Sequence, residues 1–322
     1  FKRNEKRFKN KLKMLNPNPN VIWAPGIGLI GIGGDKKGAS LVADIAVQNI
    51  QVINKGEALG GYFPIKEKDQ FDIEYWSLEQ AKIKKSSPSM IKGKTVIITG
   101  AAGVIGREIA RLFNLNGANV FLVDKDIKNL KETQKKIINT CLEKFGGIDI
   151  LISNAGYAFE SSILNLEIEN LKTSFELNFF AHLNLAKEVS KVLINQSVGG
   201  KILFNVSKQA VNPGKNFGAY GLPKATLMFL LKQLALELGE FDISVNGVNA
   251  DKIRSGLLTP KMIKSRSKSR GIDENKYMSG NLLSKEVEAK HVAEGFLSLA
   301  KSERTSAHVL TVDGGNIEAS LR

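Results

Sequence analysis

A serine, a tyrosine and a lysine at fixed spacing form the most chemically suggestive stretch of the chain. In the run KILFNVSKQAVNPGKNFGAYGLPKAT, residues 201–226, Ser207 stands thirteen residues before Tyr220, and Lys224 follows Tyr220 by four. Residues four apart are neighbours on a helix surface, so a helix through this region carries Tyr220 and Lys224 on one face. A phenol with an ordinary pKa of about 10 is a poor base at neutral pH, and an ammonium one turn away stabilises its phenolate. Tyr220 is thereby equipped to exchange a proton with an alcohol or carbonyl oxygen. A Tyr-x-x-x-Lys pair also arises by chance on amphipathic helices, so its weight depends on the segments around it.

Those segments alternate strand and helix. KTVIITG (94–100) is a β-branched run ending in glycine, followed by Gly100, Gly103 and Gly106 and the helical REIARLFNLNG. A glycine turn between strand and helix lets backbone approach a pyrophosphate at the positive end of the helix. The next strand, ANVFLVD, ends in Asp124, twenty-four residues beyond Gly100. A carboxylate there suits the adenosine ribose hydroxyls and repels a 2′-phosphate, which favours NAD over NADP. IDILISNAG is a further buried strand, closing on Asn154, Ala155 and Gly156, and Asn178 follows twenty-four residues after Asn154 in the helical SFELNFFAHLNLAKEV. DISVNGVNA and AHVLTVDGG supply the last strands. The order predicts an α/β fold with a doubly wound parallel Rossmann sheet.

Taken together these motifs resemble the short-chain dehydrogenase/reductase family. The resemblance implies a catalytic tetrad of Asn178, Ser207, Tyr220 and Lys224. Ser207 would bind the substrate oxygen, Tyr220 would act as general acid/base, Lys224 would hold the nicotinamide ribose and lower the Tyr220 pKa, and the Asn178 backbone would hold a relay water. Cofactor contacts are implied at Gly100, Gly103, Gly106, Asp124, Asn154, Ala155, Gly156, Tyr220 and Lys224. Three departures stand out: Val104 where the common family pattern has glycine, Ser153 for the first Asn of NNAG, and Ala250-Asp251 where family members commonly show proline after Asn249. Glycines at 100, 103 and 106 follow the spacing of extended family members. From Asp251 to Gly280 the family keeps a substrate-covering loop; here it carries Lys252, Arg254, Lys261, Lys264, Arg266, Lys268 and Arg270, which could attract an anionic substrate, with a mobile, solvated loop the preferred reading. The VDGG strand resembles the family's last, often near a subunit interface, which implies a homo-oligomer.

Ahead of this domain, residues 1–16 read as a charged helix face, NPNPN as a turn, VIWAPGIGLIGIG as strands with a glycine-rich bend, and KKGASLVADIAVQNIQVINKGEALGG as a helix. Pro17 to Gly61 resembles the C-terminal end of a class II aldolase domain. The whole order resembles the bifunctional class II aldolase/short-chain dehydrogenases of the rhamnulose-1-phosphate aldolase/lactaldehyde dehydrogenase type, which implies lactaldehyde oxidation in rhamnose catabolism. The aldolase metal of that family is held mainly by histidines. This chain has three, His182, His291 and His308, all in the later domain and read as surface or satisfied structural residues, so no metal site is expected. The expected division is an aldolase remnant at 1–60, a linker at 61–92 with one aromatic helix from Phe71 to Lys82, and the NAD-binding domain at 93–322. The first residue is Phe, so the chain reads as a fragment of something longer.

Composition bounds the partners. The net charge of +14 is spread over lysines along the chain, aromatics are 7%, and no nucleic-acid-binding signature appears, so a solvated surface is expected and no nucleic acid. No apolar run is long enough to span a membrane. The single cysteine, Cys141, excludes an intramolecular disulfide and points to a reducing, cytoplasmic setting. The expected partner is a small carbonyl or alcohol substrate. One further feature concerns topology. Thirty residues separate Asp124 from Asn154, whereas the family uses about twenty more for a third strand and its flanking helix, a length set by the resemblance. With that strand missing, right-handed crossovers place helix 127–145 on the opposite sheet face from helix 104–116 and leave the adenine pocket open on one side, with reduced NAD affinity. The rival expectation is a non-catalytic fragment or scaffold with a compromised cofactor site.

Overall fold

The computed structural model describes residues 1–7, 12–82, 89–124 and 130–316, and the chain divides into two compact units, Phe1–Ser89 and Met90–Arg322. In the first, β1 (Val21–Ala24) and β2 (Gly28–Gly31) form an antiparallel hairpin. Gly26 turns it with φ +76°. A Cβ on Gly31 would sit 2.5 Å from the Ala39 carbonyl, so the glycine lets the hairpin close onto α1 (Lys36–Ala58). Asp35 caps that helix by accepting from the Gly38 N–H at 2.8 Å.

Two expectations fail in this unit. Among the described residues of 1–16 the only helical piece is a 3₁₀ turn at Glu5–Arg7. The sequence puts like charges four apart, Lys2 with Lys6 and Arg3 with Arg7, which disfavours a helix there, and residues 8–11 of the stretch lie outside the described residues. Its arginines pair outside the segment, Arg3 with Glu67 at 3.3 Å and Arg7 with Asp72 at 2.6 Å. Nor is Phe71–Lys82 one helix: α2 (Glu67–Glu74) stops at Tyr75, and α3 (Ser77–Lys82) follows. Tyr75 stacks on Phe71 at 4.4 Å and meets Phe1 at 5.4 Å, an aromatic cluster that fixes the chain where the first helix ends.

The second unit is a six-stranded parallel sheet in the order β4-β3-β5-β6-β7-β8. Its elements run β3 (Thr95–Thr99), α4 (Val104–Leu115), β4 (Asn119–Val123), α5 (Leu130–Phe145) and β5 (Ile150–Ser153). Then come α6 (Ile168–Phe175), α7 (Ala181–Gln196), β6 (Gly200–Asn205), α8 (Gly218–Leu238) and β7 (Ile243–Ala250). Last are α9 (Pro260–Ser269), α10 (Glu274–Met278), α11 (Ala289–Lys301) and β8 (Val309–Val312). Every residue of β3 and β5 is buried, as a central parallel strand covered on both faces requires.

Alternate residues of β3 separate the two layers. Val96 and Ile98 pack with Ile109 and Phe113 of α4 and Phe296 of α11. Ile97 packs on the other side with Ile138 and Cys141 of α5, Leu185 and Val189 of α7, and Leu227 and Leu231 of α8. Thus α4 and α5 lie on opposite faces. Among the described residues β4 pairs with β3 alone, so among them it is the sheet's edge and no third strand lies beyond it. Residues 127–129 of the expected helix lie outside the described residues.

Candidate active site

The glycine turn is shaped by contacts that exclude side chains. Gly100 has φ +65°, and a Cβ there would lie 2.9 Å from Ala155 Cα. At Gly106 a Cβ would lie 2.1 Å from the Gly100 carbonyl oxygen, so the first turn of α4 rests directly on the loop. Gly103 is the N-cap, and Val104 opens the helix half-exposed, a position where a side chain is accommodated. Asp124, one residue past β4, accepts the Ala102 N–H through Oδ2 at 2.7 Å. A carboxylate is therefore held against the loop at the C-terminal ends of β3 and β4.

Asn154 ties three strand ends together. Its Nδ2 donates to the Thr99 carbonyl at 3.0 Å, its Oδ1 accepts from Asn205 Nδ2 at 2.8 Å, and its N–H donates to Thr99 Oγ1 at 2.9 Å. The Ala155 N–H reaches the same Thr99 hydroxyl at 3.1 Å. Asn205 and Thr99 went unnoticed in the sequence because each reads as an ordinary strand-end polar residue; only the strand order β3-β5-β6 brings them to Asn154.

Asn178 lies in a π-helical turn, Glu176–Phe180, between α6 and α7, not in a regular helix. Such turns insert a residue and interrupt the regular carbonyl ladder, commonly at functional sites. The fully buried side chain donates to the Tyr157 carbonyl at 2.8 Å and Ser174 Oγ at 3.0 Å and accepts the Tyr157 N–H at 3.1 Å. Gly156 passes between Asn178 and Lys224: a Cβ there would lie 3.1 Å from Asn178 Oδ1 and 3.8 Å from Lys224 Nζ.

Ser207 follows β6 and caps a 3₁₀ turn by accepting the Gln209 N–H at 3.2 Å. Tyr220 and Lys224 lie one turn apart on α8, with Lys224 Nζ 5.8 Å from the Tyr220 ring centroid and donating to the Asn205 carbonyl at 2.9 Å. Asn178, Ser207, Tyr220, Lys224 and Gly156 are thus gathered at the C-terminal ends of β5 and β6. The electrostatics correct an expectation. Burial pushes Tyr220 up to about 12, with a Ser207 hydrogen bond pulling the other way, and burial brings Lys224 down to about 7. The low-dielectric surroundings disfavour both charged forms, so Lys224 does not hold the Tyr220 pKa down in the protein by itself.

The segment over this site is folded. Thr259 and Asp273 cap α9 and α10, accepting from Met262 N–H at 3.3 Å and Lys276 N–H at 2.8 Å. Ile263, Tyr277 and Met278 form a small core of their own. The expected solvated loop is replaced because apolar residues hidden among the lysines fall on facing sides of two short helices. Lys208, next to Ser207, pairs with Asp251 at 2.9 Å and joins this segment to the β6 end.

The histidines part company. His291 joins the capping box of α11. His182, one turn beyond Asn178, is buried with Nδ1 2.7 Å from Ser153 Oγ, while Nε2 has no well-formed hydrogen bond. Burial, and after it the Lys224 charge, holds its pKa well below the usual histidine range.

A family model described as Enoyl-(Acyl carrier protein) reductase matches residues 125–316, and one described as Aldolase class II, second domain, matches residues 1–83. An uncharacterized oxidoreductase of Bacillus subtilis (strain 168), YuxG, is 28% identical over 331 residues that take in 92% of this chain and 48% of the relative. The chain thus spans about half the length of that relative. Short-chain dehydrogenase reductase 3b of Arabidopsis thaliana is 31% identical over 255 residues, 71% of this chain and 97% of the relative. Among solved structures, L-sorbose reductase from Gluconobacter frateurii, complexed with NADPH and L-sorbose, superposes with a TM-score of 0.63 at 26% identity, covering 71% of this chain and 98% of that one. With the six-stranded Rossmann sheet already in view, these matches place the chain in the short-chain dehydrogenase/reductase family.

Proposed function

We propose that the chain is an NAD-dependent oxidoreductase of the cytoplasm, working on a small hydroxy-aldehyde or sugar-derived alcohol as a homo-oligomer. Oxidation of lactaldehyde to lactate is the favoured reaction by its resemblance to the bifunctional aldolase/dehydrogenases. The observation that carries the reading is the constellation of half-buried Ser207 at the end of β6 with buried Tyr220 and Lys224 on α8, bounded by Gly156 and Asn178.

The residues fit a nicotinamide dinucleotide along most of its length. Gly100, Gly103 and Gly106 leave backbone bare at the N-terminus of α4, where a pyrophosphate is favoured. Asp124 presents a carboxylate at the ribose position, which supports NAD over NADP. Lys224 holds one bond to Asn205 and has further donors for a ribose. When bound, the cofactor supplies the hydride acceptor or donor. Ser207 and Tyr220 then bind the substrate oxygen. A phenol pushed up to about 12 is protonated at neutral pH and is poised to donate in carbonyl reduction. In the oxidative direction the phenol must first give up its own proton by way of Lys224 and the Asn178 backbone, and the phenolate then takes the substrate hydroxyl proton as the hydride leaves for the cofactor.

Cys141 is buried in α5 and its thiol is raised to about 11, so no thiohemiacetal route is offered. Aldehyde oxidation therefore starts from the hydrate, an alcohol like any other to Ser207 and Tyr220. Absorbance of reduced cofactor with a panel of aldehydes and polyols, using NAD and NADP in parallel, tests the reading. The expected result is NAD-linked turnover that Tyr220→Phe abolishes; no turnover, or unchanged turnover in the variant, overturns it. The edge position of β4 favours a second reading, a non-catalytic scaffold, which predicts no NAD binding by calorimetry.

A further inference from the structure

One arginine beside α8 has no anion within pairing distance among the described residues. Arg266, in α9, places its guanidinium carbon 4.0 Å from the centroid of the Phe217 ring. Phe217 immediately precedes α8, is buried, and stands perpendicular to Tyr220 with centroids 6.4 Å apart. Its backbone also bridges to Ser161 in the loop after β5. The guanidinium is therefore one ring removed from the tyrosine, where the β5, β6 and β7 loops converge.

Its hydrogen bonding is poor. Nε is buried without a partner, and Nη1 has a single long bond of 3.4 Å to Tyr277 Oη. Among the described residues no carboxylate lies within ion-pair distance of it. Arg254 on the same segment shows the contrast, forked onto Glu286 at 2.6 and 3.2 Å. The surroundings add charge of the same sign: Arg270 lies 5.0 Å and Lys252 5.3 Å from the ring of Tyr277, the residue that contacts Arg266. A guanidinium stays ionised at any physiological pH, and its planar fork matches carboxylate and phosphate. A partly buried cation with unused donors is costly unless an anion completes it.

We propose that Arg266 is a specificity-determining residue that receives the carboxylate or phosphate of an anionic substrate whose alcohol or carbonyl carbon lies at Ser207 and Tyr220. This rests on the oxidoreductase reading and narrows it, from hydroxy-aldehydes and polyols in general to those carrying an anion a few bonds from the reacting carbon. The ring of Phe217 carries the guanidinium face and Tyr277 takes Nη1, so the donors an anion would engage are Nη2 and the buried Nε.

Calorimetric titration of the full chain with glycerate, glycerol 1-phosphate and glycerol, each with and without NADH, tests it without requiring turnover. Wild type is expected to bind at least one anion roughly ten- to a hundredfold tighter than glycerol, the value of a charge-assisted bond or two; glycerol too weak to detect counts as that preference. Arg266→Gln brings the ratio near one, and Arg266→Lys, which keeps the charge without the fork, falls between. Lys261→Gln, exposed on the same helix, leaves the ratio unchanged. Which anion binds tighter separates carboxylate from phosphate. Equal binding of all three probes by wild type overturns the proposal. So does an anion preference that survives in Arg266→Gln, or a melting temperature lowered by Arg266→Lys with the preference intact, which would make the stack purely structural. Failure of the oxidoreductase reading looks different: the anion preference remains while no substrate reduces NAD.

Discussion

The two halves of the six-stranded sheet differ in how completely their strand ends are tied. At β5 and β6 the side chain of Asn154 uses both donor and acceptor, Asn178 bonds on both sides, and Lys224 is buried against a carbonyl. At the other end β4 has one neighbour among the described residues, its residues are mostly half-buried, and Leu122 is 53% exposed. The difference teaches that a doubly wound sheet can lose an outermost strand without disturbing the arrangement of the residues proposed to do chemistry. Those residues are placed by strands in the middle, and right-handed crossover carries α5 back over β3 whether or not another strand lies beyond.

The comparison breaks most visibly at Tyr220. Replacing it with Phe is expected to cut turnover by about a thousandfold, within the range of general acid–base catalysis, while NAD affinity by calorimetry stays within about threefold. Loss of both would mean that the phenol organises the pocket. Next in size is the pH dependence of stability. With Lys224 at about 7 in the folded chain against 10.5 unfolded, the unfolded state binds a proton that the folded one has lost between those values. Unfolding free energy therefore rises with pH across that window. Tyr220 acts oppositely: from 10 to about 12 the folded phenol keeps a proton the unfolded one has lost, and stability falls. Urea titrations at pH 7 and pH 10 should show wild type gaining a few kcal/mol on Lys224→Met, on the order of the linkage for a shift of this kind. Parallel curves would mean that Lys224 is not desolvated.

Gly106→Ala probes the junction of the two halves. Its Cβ would meet the Gly100 carbonyl at 2.1 Å and Ala101 Cα at 2.8 Å, both backbone, so the loop must move. A loss of about 1–3 kcal/mol in urea unfolding, with NAD binding lost, is expected from overpacking. At the cofactor edge, Asp124→Ser removes the carboxylate held at 2.7 Å from the Ala102 nitrogen. The NAD-to-NADP ratio of kcat/KM should shift toward NADP by about tenfold, the order of one unit charge near a phosphate at a surface. An unmoved ratio would place the specificity elsewhere.

Much of this was legible in the sequence because the signals were local. A glycine turn between a β-branched run and an amphipathic helix, or a tyrosine and lysine one turn apart, is specified within a few residues. The missing strand was legible too, since the thirty residues from Asp124 to Asn154 are too few for two helices and a strand, and the described part of them, from Leu130, forms one helix before β5. What escaped depends on packing between distant segments. Asn205 matters only once β6 lies beside β5. The π-turn at Asn178 has no spacing signal of its own. The helices of the covering segment hide behind their lysines, because only Ile263, Tyr277 and Met278 carry the core. The high pKa of Tyr220 follows from burial, which spacing does not report.

The smallest effect should come from the open edge itself, and it decides whether that edge is open. Asn119 donates its N–H to the Lys94 carbonyl just before β3 at 2.9 Å, and the Val123 carbonyl accepts from the Ala101 N–H just after it at 3.2 Å. In a parallel ladder alternate residues face the partner, so the N–H groups of Asn119, Phe121 and Val123 point to β3 and those of Val120 and Leu122 point away. Amide exchange should be slow at 119, 121 and 123 and fast at 120 and 122, without dependence on protein concentration. Leu122→Lys should then change stability by less than about 0.5 kcal/mol, as for an exposed substitution away from special contacts, and leave NAD affinity within about twofold. A charge on an exposed edge is one of the ways natural sheets avoid pairing with another strand. A loss above about 2 kcal/mol, or protection at 120 and 122 that grows with concentration, would show the edge covered, by more of this chain in the first case and by a second copy in the other.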